Sequence, residues 1–354
     1  MLKIGITHGD TNGIGYEIIF KTFADPTILE LCTPIIYGSP KVAAYHRKAL
    51  ELNVNYTTIS DADSAREGQL NLVPCTADEV KVELGTGSEE SGHAALAALE
   101  RAVADWREGK IDALVTAPIN KHVIQGDSFQ FPGQTEYLQD RVGHDGQQAL
   151  MILMNETLRV AVMTTHTPIA KVAAQITTEH VVQKLASFHK ALRTDFGVSI
   201  PRIAVLALNP HAGDAGLIGN EEQTAILPAI EQAKSQGMHV YGPFPADSFF
   251  ATHACNNYDG ILAMYHDQGL IPFKMLAMED GVNFTAGLDL IRTSPDHGVA
   301  YDIAGKNEAD EASMRKALYT AIDLCRNRQA WNEGRKDPLP KLYVDRRENH
   351  GRPE

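Results

Sequence analysis

Seven short apolar runs punctuate this chain, and their pattern restricts the fold more than any other feature. They are KIGIT (3–7), TPIIYG (33–38), DALVTAP (112–118), ALMILMN (149–155), RVAVMTT (159–165), RIAVLAL (202–208) and DGILAMY (259–265). Each is strand length and few alternate with polar residues, which suits strands covered on both faces. Helix-period stretches lie between several of them, at 91–110, 178–197 and 221–237. The order is β then α, repeated, so the expected class is α/β with parallel strands and helical crossovers. At 354 residues the chain can fill two such domains or one elaborate unit.

Composition removes several classes of function. A formal net charge of −13 argues against nucleic acid or an anionic membrane as the main partner. No apolar stretch approaches the ~18 residues of a membrane span. The beginning, MLKIGITHGD, enters a strand at once with no signal-like segment, and Cys32, Cys75, Cys255 and Cys325 are widely spaced without C-x-x-C pairs. The expectation is a protein of the reducing cytoplasm. The stretch His122 to Gly146 lacks a sustained apolar pattern and reads as an inter-domain passage. A helix at 308–330 can return to the first domain, and the charged, proline-containing segment after Trp331 reads as a surface tail.

Three histidines share one kind of position. His166 closes VAVMTTH, His211 follows IAVLALNP, and His266 closes GILAMYH, each just beyond an apolar run. In a parallel sheet the carboxyl ends of strands line the ligand crevice, so these imidazoles could converge on one metal. Their separations of 45 and 55 residues form no local motif, so spacing leaves open whether they meet. Asp247 and Asp267 are available as a fourth ligand, an orienting carboxylate or a general base, or equally as helix N-caps. The loop GDTNGIGYE (9–17) has neither dinucleotide-fold glycine spacing nor a P-loop lysine. In HAGDAGLIGNEE (211–222) the acidic pair Glu221 and Glu222 opposes phosphate binding. Lys274, Asn283 and Arg292 precede TSPDHGVAYDIAGKNEAD (293–310), a polar segment with little room for a regular element. Lysine and arginine there would suit a phosphorylated, carboxylated substrate.

Seven ordered blocks carry a resemblance. ITHGDTNGIGYE, VTAPINK, FPGQTEYL, TTHTPI, LNPHAGDAGLIGNEE, YHDQGLIPFK and GVNFTAGLDLIRTSPDHGVAYDIAG together resemble the 4-hydroxythreonine-4-phosphate dehydrogenase family over roughly residues 2–330. The resemblance implies two α/β/α domains like those of isocitrate and isopropylmalate dehydrogenases, with the active site in the cleft between them and at a dimer interface. The corresponding division is 1–128 plus 306–335 for the first domain, 129–305 for the second, and 336–354 for the tail. It makes His166, His211 and His266 ligands of a divalent metal, with His266 given by the second subunit. Gln134, Thr135, Lys274, Asn283 and Arg292 become substrate contacts. The loop 293–307 offers Gly298, Asp302, Gly305 and Asn307 as expected cofactor contacts for NAD, and Asp247, with Lys274 as its rival, is the expected proton acceptor. Histidine is usual where Gln134 stands, and glutamine cannot titrate near neutral pH.

The implied reaction is NAD-dependent oxidation of 4-phosphooxy-L-threonine at its C3 hydroxyl, then decarboxylation to 3-amino-2-oxopropyl phosphate, in pyridoxal 5′-phosphate biosynthesis. Zinc is the first expectation for the metal, with manganese, cobalt or magnesium as others. Two rivals are carried: a dehydrogenase of 4-phospho-D-threonate or D-erythronate, and a metal-dependent phosphatase using the same histidines.

Overall fold

The computed structural model describes residues 1–76, 80–126, 129–277 and 280–338, so most of the expected tail lies outside the described residues. The first six strands are β1 (Lys3–Thr7), β2 (Thr33–Gly38), β3 (Tyr56–Thr58), β4 (Leu70–Pro74), β5 (Ala113–Thr116) and β6 (Leu150–Met154). The next six are β7 (Arg159–Thr164), β8 (Arg202–Leu206), β9 (His239–Phe244), β10 (Gly260–Tyr265), β11 (Val282–Ala286) and β12 (Ile291–Pro295). All seven apolar runs are strands. The helices are α1 (Gly15–Thr22), α2 (Pro40–Ala49), α3 (Glu89–Arg107), α4 (Gln134–Val142) and α5 (Thr178–Thr194). After these come α6 (Leu227–Ser235), α7 (Ala246–Ala251), α8 (His266–Leu276) and α9 (Ala312–Glu333).

One hydrogen-bonded sheet runs in the order β3-β4-β2-β1-β5-β12-β11-β6-β7-β10-β8-β9. Its two flanks are parallel, as the β-then-α order requires. Its centre is not: β12 with β11, β11 with β6, and β6 with β7 are antiparallel. Only residues 155–158 separate β6 from β7, too few for a crossover helix. The side-chain oxygen of Asn155 accepts the N–H groups of Thr157 and Leu158 and folds that turn. The sheet is therefore mixed, and the segment after Arg292 starts as a strand rather than an irregular loop.

Both faces of the flanks are covered. Along β2, Ile36 packs into one core while Ile35 and Tyr37 pack into another. In β6 and β7, Ile152 and Ala161 join the first core, and Leu153, Val160 and Val162 a third. Helix α9 lies against β12, β11 and β5. The stretch read as a passage, 122–146, contains α4, whose buried Gln134, Tyr137, Leu138 and Val142 follow helical spacing.

Candidate functional site

The antiparallel centre of the sheet builds the floor of a cavity of about 330 Å³. Alternation is the cause. In β11 the residues Val282, Phe284 and Ala286 are buried in the core, which turns Asn283 and Thr285 to the other face. Register then aligns Arg292 with Thr285 and Met151 in one row across three strands, and Ser294 with Asn283 and Leu153 in the next. Arg292, Ser294, Asn283, Met151 and Leu153 all line the cavity.

Arg292 is only 5 % exposed, and its four hydrogen bonds go to neutral oxygens. Nε and Nη2 donate to Thr116 Oγ1 at 2.9 and 2.7 Å, Nη1 to Thr285 Oγ1 at 3.4 Å, and Nη2 to Gln134 Oε1 at 3.1 Å. Burial pulls its pKa down to about 10, against the attraction of Glu136, so it stays cationic at neutral pH. Among the described residues no carboxylate is hydrogen-bonded to it, and a buried cation left so suits an incoming anion. Helix α4 starts beside it with Gly133 as an N-cap that offers no side-chain bond, and the Glu136 carboxylate in its first turn takes up that residue's own N–H. Thr135 lines the same cavity and stands 3.4 Å from Thr285, Oγ1 to Oγ1. The Oδ1 of Asn283 is buried without a partner, an acceptor awaiting a donor.

The other wall comes from strand ends. His166, just past β7, and His266, the first residue of α8 after β10, line the cavity with ring centroids 6.4 Å apart. Each has its Nδ1 against a carboxylate: His166 meets Glu136 Oε1 at 3.0 Å and His266 meets Asp267 Oδ1 at 2.7 Å. An ionised carboxylate only accepts, so each Nδ1 carries the proton and each Nε2 is left as the ligating nitrogen. This donor chemistry fits a divalent metal, and the Asp267 contact is the orienting one its place in the sequence allowed. Lys121 Nζ lies 3.0 Å from His166 Nε2. For Glu136, burial opposes ionisation, but the His166 bond, its backbone N–H and the attraction of His166 and Lys121 hold its carboxyl below the usual range. Lys274 lines the cavity, 3.2 Å from Asp296 Oδ2; burial raises the Asp296 carboxyl despite that ammonium.

Other expected residues lie elsewhere. His211 is exposed and outside the cavity, in a turn where His211 to Ala215 all have positive φ, between 43° and 78°. Four of these five are not glycine, and a left-handed conformation costs such residues ~1–2 kcal/mol each. Glu222 holds the turn, its Oε1 accepting the N–H groups of Leu208 and Asn209 and its Oε2 the Asn209 amide. A Cβ on Gly213 would lie 2.6 Å from that Oε2. Asp247 is exposed in the first turn of α7, also away from the cavity. Gly298 is on the cavity rim, whereas Asp302, Gly305 and Asn307 belong to a turn against the N-terminal region: Gly305 meets Leu84, and the Asn307 carbonyl accepts from Lys21. Among the described residues, one chain brings no group of three or more His, Cys, Asp or Glu into metal-binding arrangement. Lys121, Glu136 and Thr116 were not singled out from the sequence, although Lys121 closes VTAPINK and Glu136 sits two residues after Gln134.

Residues 30–321 match the family described as pyridoxal phosphate biosynthetic protein PdxA. The chain belongs to this PdxA family. It is 58 % identical to a 4-hydroxythreonine-4-phosphate dehydrogenase of Bacteroides thetaiotaomicron, over 98 % of this chain and 95 % of that one. A relative from Oceanobacillus iheyensis, 39 % identical over 91 % of this chain and 97 % of its own, carries the provisional name D-threonate 4-phosphate dehydrogenase. The crystal structure of 4-hydroxythreonine-4-phosphate dehydrogenase from Klebsiella pneumoniae superposes with a TM-score of 0.79 at 32 % identity, covering 92 % of this chain and 98 % of that one. As a PdxA-family member this chain is an oxidoreductase with the fold of those enzymes. Among the described residues no helix is long and apolar enough to cross a membrane.

Proposed function

We propose that this chain is an NAD-dependent, divalent-metal-assisted dehydrogenase that oxidises 4-phosphooxy-L-threonine at its C3 hydroxyl and releases carbon dioxide and 3-amino-2-oxopropyl phosphate, in pyridoxal 5′-phosphate biosynthesis. One observation carries the reading: a buried arginine without a carboxylate and two carboxylate-backed imidazoles line a single cavity, in a chain 58 % identical to a protein named for that substrate.

In this reading the Arg292 fork takes the phosphate, and Thr135 bonds beside it. The unpaired Oδ1 of Asn283 accepts from the substrate ammonium. His166 and His266 would hold a divalent ion, zinc in the first instance, through Nε2. When bound, the ion supplies Lewis acidity to the C3 oxygen and to the charge left by decarboxylation, and NAD supplies the hydride acceptor. Gly298, with open space where a Cβ would stand, leaves the rim clear for the nicotinamide side. Lys274, which lines the cavity where Asp247 does not, takes the hydroxyl proton as the neutral amine, and the ammonium so formed returns it to the carbon that loses carbon dioxide.

A third imidazole completes the metal site from a second copy of the chain. His266 already stands beside His166, so in this reading the partner donates His211 rather than His266. Asp247 follows β9, the neighbour of β8, and would arrive with it. Exposed Ile271, Met275 and Leu276 on α8, with Leu217 and Ile218 after the His211 turn, give apolar surface for a homodimer. We place the domain division at 1–128 plus 306–335 against 129–305, and the enzyme in the cytosol, which its four free cysteines suit.

Mixed dimers test the shared site. His166→Ala and His211→Ala chains are each inactive, and a dissociated and reassociated 1:1 mixture recovers about a quarter of parental NADH formation. Half of the dimers are then mixed, each with one intact site. No recovery would mean that His166 and His211 act from the same chain. Running 4-phospho-D-threonate beside 4-phosphooxy-L-threonine in that assay decides the second reading, which Gln134 and the Oceanobacillus relative keep open.

A further inference from the structure

Two side chains flank His166 and restrict it from opposite sides. Glu136 Oε1 stands 3.0 Å from Nδ1, and Lys121 Nζ stands 3.0 Å from Nε2. A carboxylate can only accept and an ammonium can only donate, so both contacts demand the same tautomer, with the proton on Nδ1 and the lone pair on Nε2. Gly133 makes room for the cluster. A Cβ there would lie 3.2 Å from Glu136 Oε2, 3.4 Å from His166 Cε1 and 3.8 Å from Lys121 Cε. Glu136 Oε2 is itself buried without a hydrogen-bond partner, so one oxygen of this carboxylate is committed to His166 and the other is in reserve. His266 shares only half of this arrangement: its Nδ1 meets Asp267, and among the described residues no ammonium is bonded to its Nε2.

We infer that the neighbours of His166 set its metal affinity in opposite senses: Glu136 makes Nε2 the ligand atom, and Lys121 plugs that nitrogen with its ammonium until a divalent cation displaces it. The inference rests on the metal reading above. Glu136 is a positioning residue that touches the metal only through His166. Lys121 is a resident cation in a cation site, lost to the cavity when the metal arrives and then free to turn toward an anionic substrate. The exchange balances charge in part, since the ammonium leaves as the metal enters. It also keeps the imidazole in one tautomer in the metal-free chain, so binding needs no proton shift within the ring.

The two residues give signed expectations. Zn²⁺ is titrated into the full-length chain against a competing fluorescent chelator at pH 7.5. Glu136→Gln should weaken binding by about 10- to 100-fold, the usual cost of removing such an outer carboxylate. Lys121→Met should tighten it by roughly tenfold, the factor expected when a competent state is only about one-tenth populated. Opposite signs cannot arise from general loss of fold. The ¹⁵N shifts of the His166 ring, assigned by difference against His166→Asn, should report the Nδ1–H tautomer in the metal-free parent. Unchanged affinity in Glu136→Gln overturns the positioning role, and unchanged or weaker affinity in Lys121→Met overturns the plug. A parent chain that binds Zn²⁺ no better than His166→Asn overturns the metal reading and this inference together. If only the flanking variants disappoint, the metal reading stands alone.

Discussion

The sheet floor and the strand-end histidines line one cavity, yet they differ in how complete a single chain makes them. Arg292 is locked by four bonds to groups whose positions are set by strand register and by the start of α4. His166 and His266 keep 33 % and 40 % of their side-chain surface exposed, and each is braced at one nitrogen by a carboxylate of its own chain. A sheet fixes its cross-strand neighbours by pairing, so it can preorganise a charge without help. Residues just beyond strand ends take their final partners from whatever packs on them. In the proposed reading the anion subsite is a property of the chain, and the imidazole set a property of the assembly.

The largest effect should come from the floor. Arg292→Ala is expected to lower kcat/KM for the phosphorylated substrate by about a thousandfold, near 4 kcal/mol, chiefly through KM, while Zn²⁺ affinity stays within about threefold of the parent. NADH formation at 340 nm and chelator competition read the two quantities separately. Loss of both together would break the contrast, because it would make the walls one cooperative unit.

Acid sensitivity sharpens the contrast by giving it a background. His8, at the end of β1, is fully buried, is stacked on Tyr16 at 5.1 Å, and has no partner for either ring nitrogen. Burial lowers its pKa to about 4, against the backbone groups of Gly9 and Ala94, whose approaches are too poorly aligned to count as hydrogen bonds, and with the nearby His46 adding to the effect. The unfolded chain, near 6.5, then binds the proton that the folded chain refuses, so stability is full above pH 6.5 and falls as pH drops toward 4. The loss reaches about 3 kcal/mol at pH 4. His8→Phe should flatten that part of a pH series of urea midpoints. If the slope persists, acid acts elsewhere, and the histidine wall becomes the first suspect.

These differences also explain what could be read from residue order. Strands buried on both faces announce themselves as apolar runs, and all seven found in this way are strands. β11 was missed because only one of its faces is apolar: Val282, Phe284 and Ala286 alternate with the two polar residues that help build the floor. Helix α4 was missed because nine residues hold only three buried apolar side chains, although Tyr137, Leu138 and Val142 keep helical spacing. Arg292, Asn283, Lys274, Thr135, His166 and His266, expected from the ordered sequence blocks, all line the one cavity. Their neighbours Thr116, Lys121 and Glu136 come from three other segments, and which atom faces which depends on register and on the entry angle of α4. His211 and Asp247 are legible as strand-end residues, but a position after a strand does not say whose cavity it serves.

The smallest predicted effect tests how far the floor's electrostatics extend. Gln134 spends both ends of its amide, accepting from Arg292 at Oε1 and donating from Nε2 to the Ala117 carbonyl at 3.4 Å. It is 8 % exposed and carries no charge at any pH. A histidine in its place can make the same two bonds while neutral, one nitrogen accepting and the other donating. Once protonated it loses the bond from Arg292 and adds a second cation beside the bound phosphate. Gln134→His should therefore leave KM within about twofold of the parent at pH 8 and lower it by about threefold, roughly 0.6 kcal/mol, at pH 6. The ratio of the two KM values, not either alone, is the readout, because titration of the substrate phosphate cancels between variant and parent. A ratio that stays flat across that range would put the bound phosphate beyond the reach of position 134. The phosphate would then have to be sought nearer Lys274, and the floor would hold the carboxylate instead.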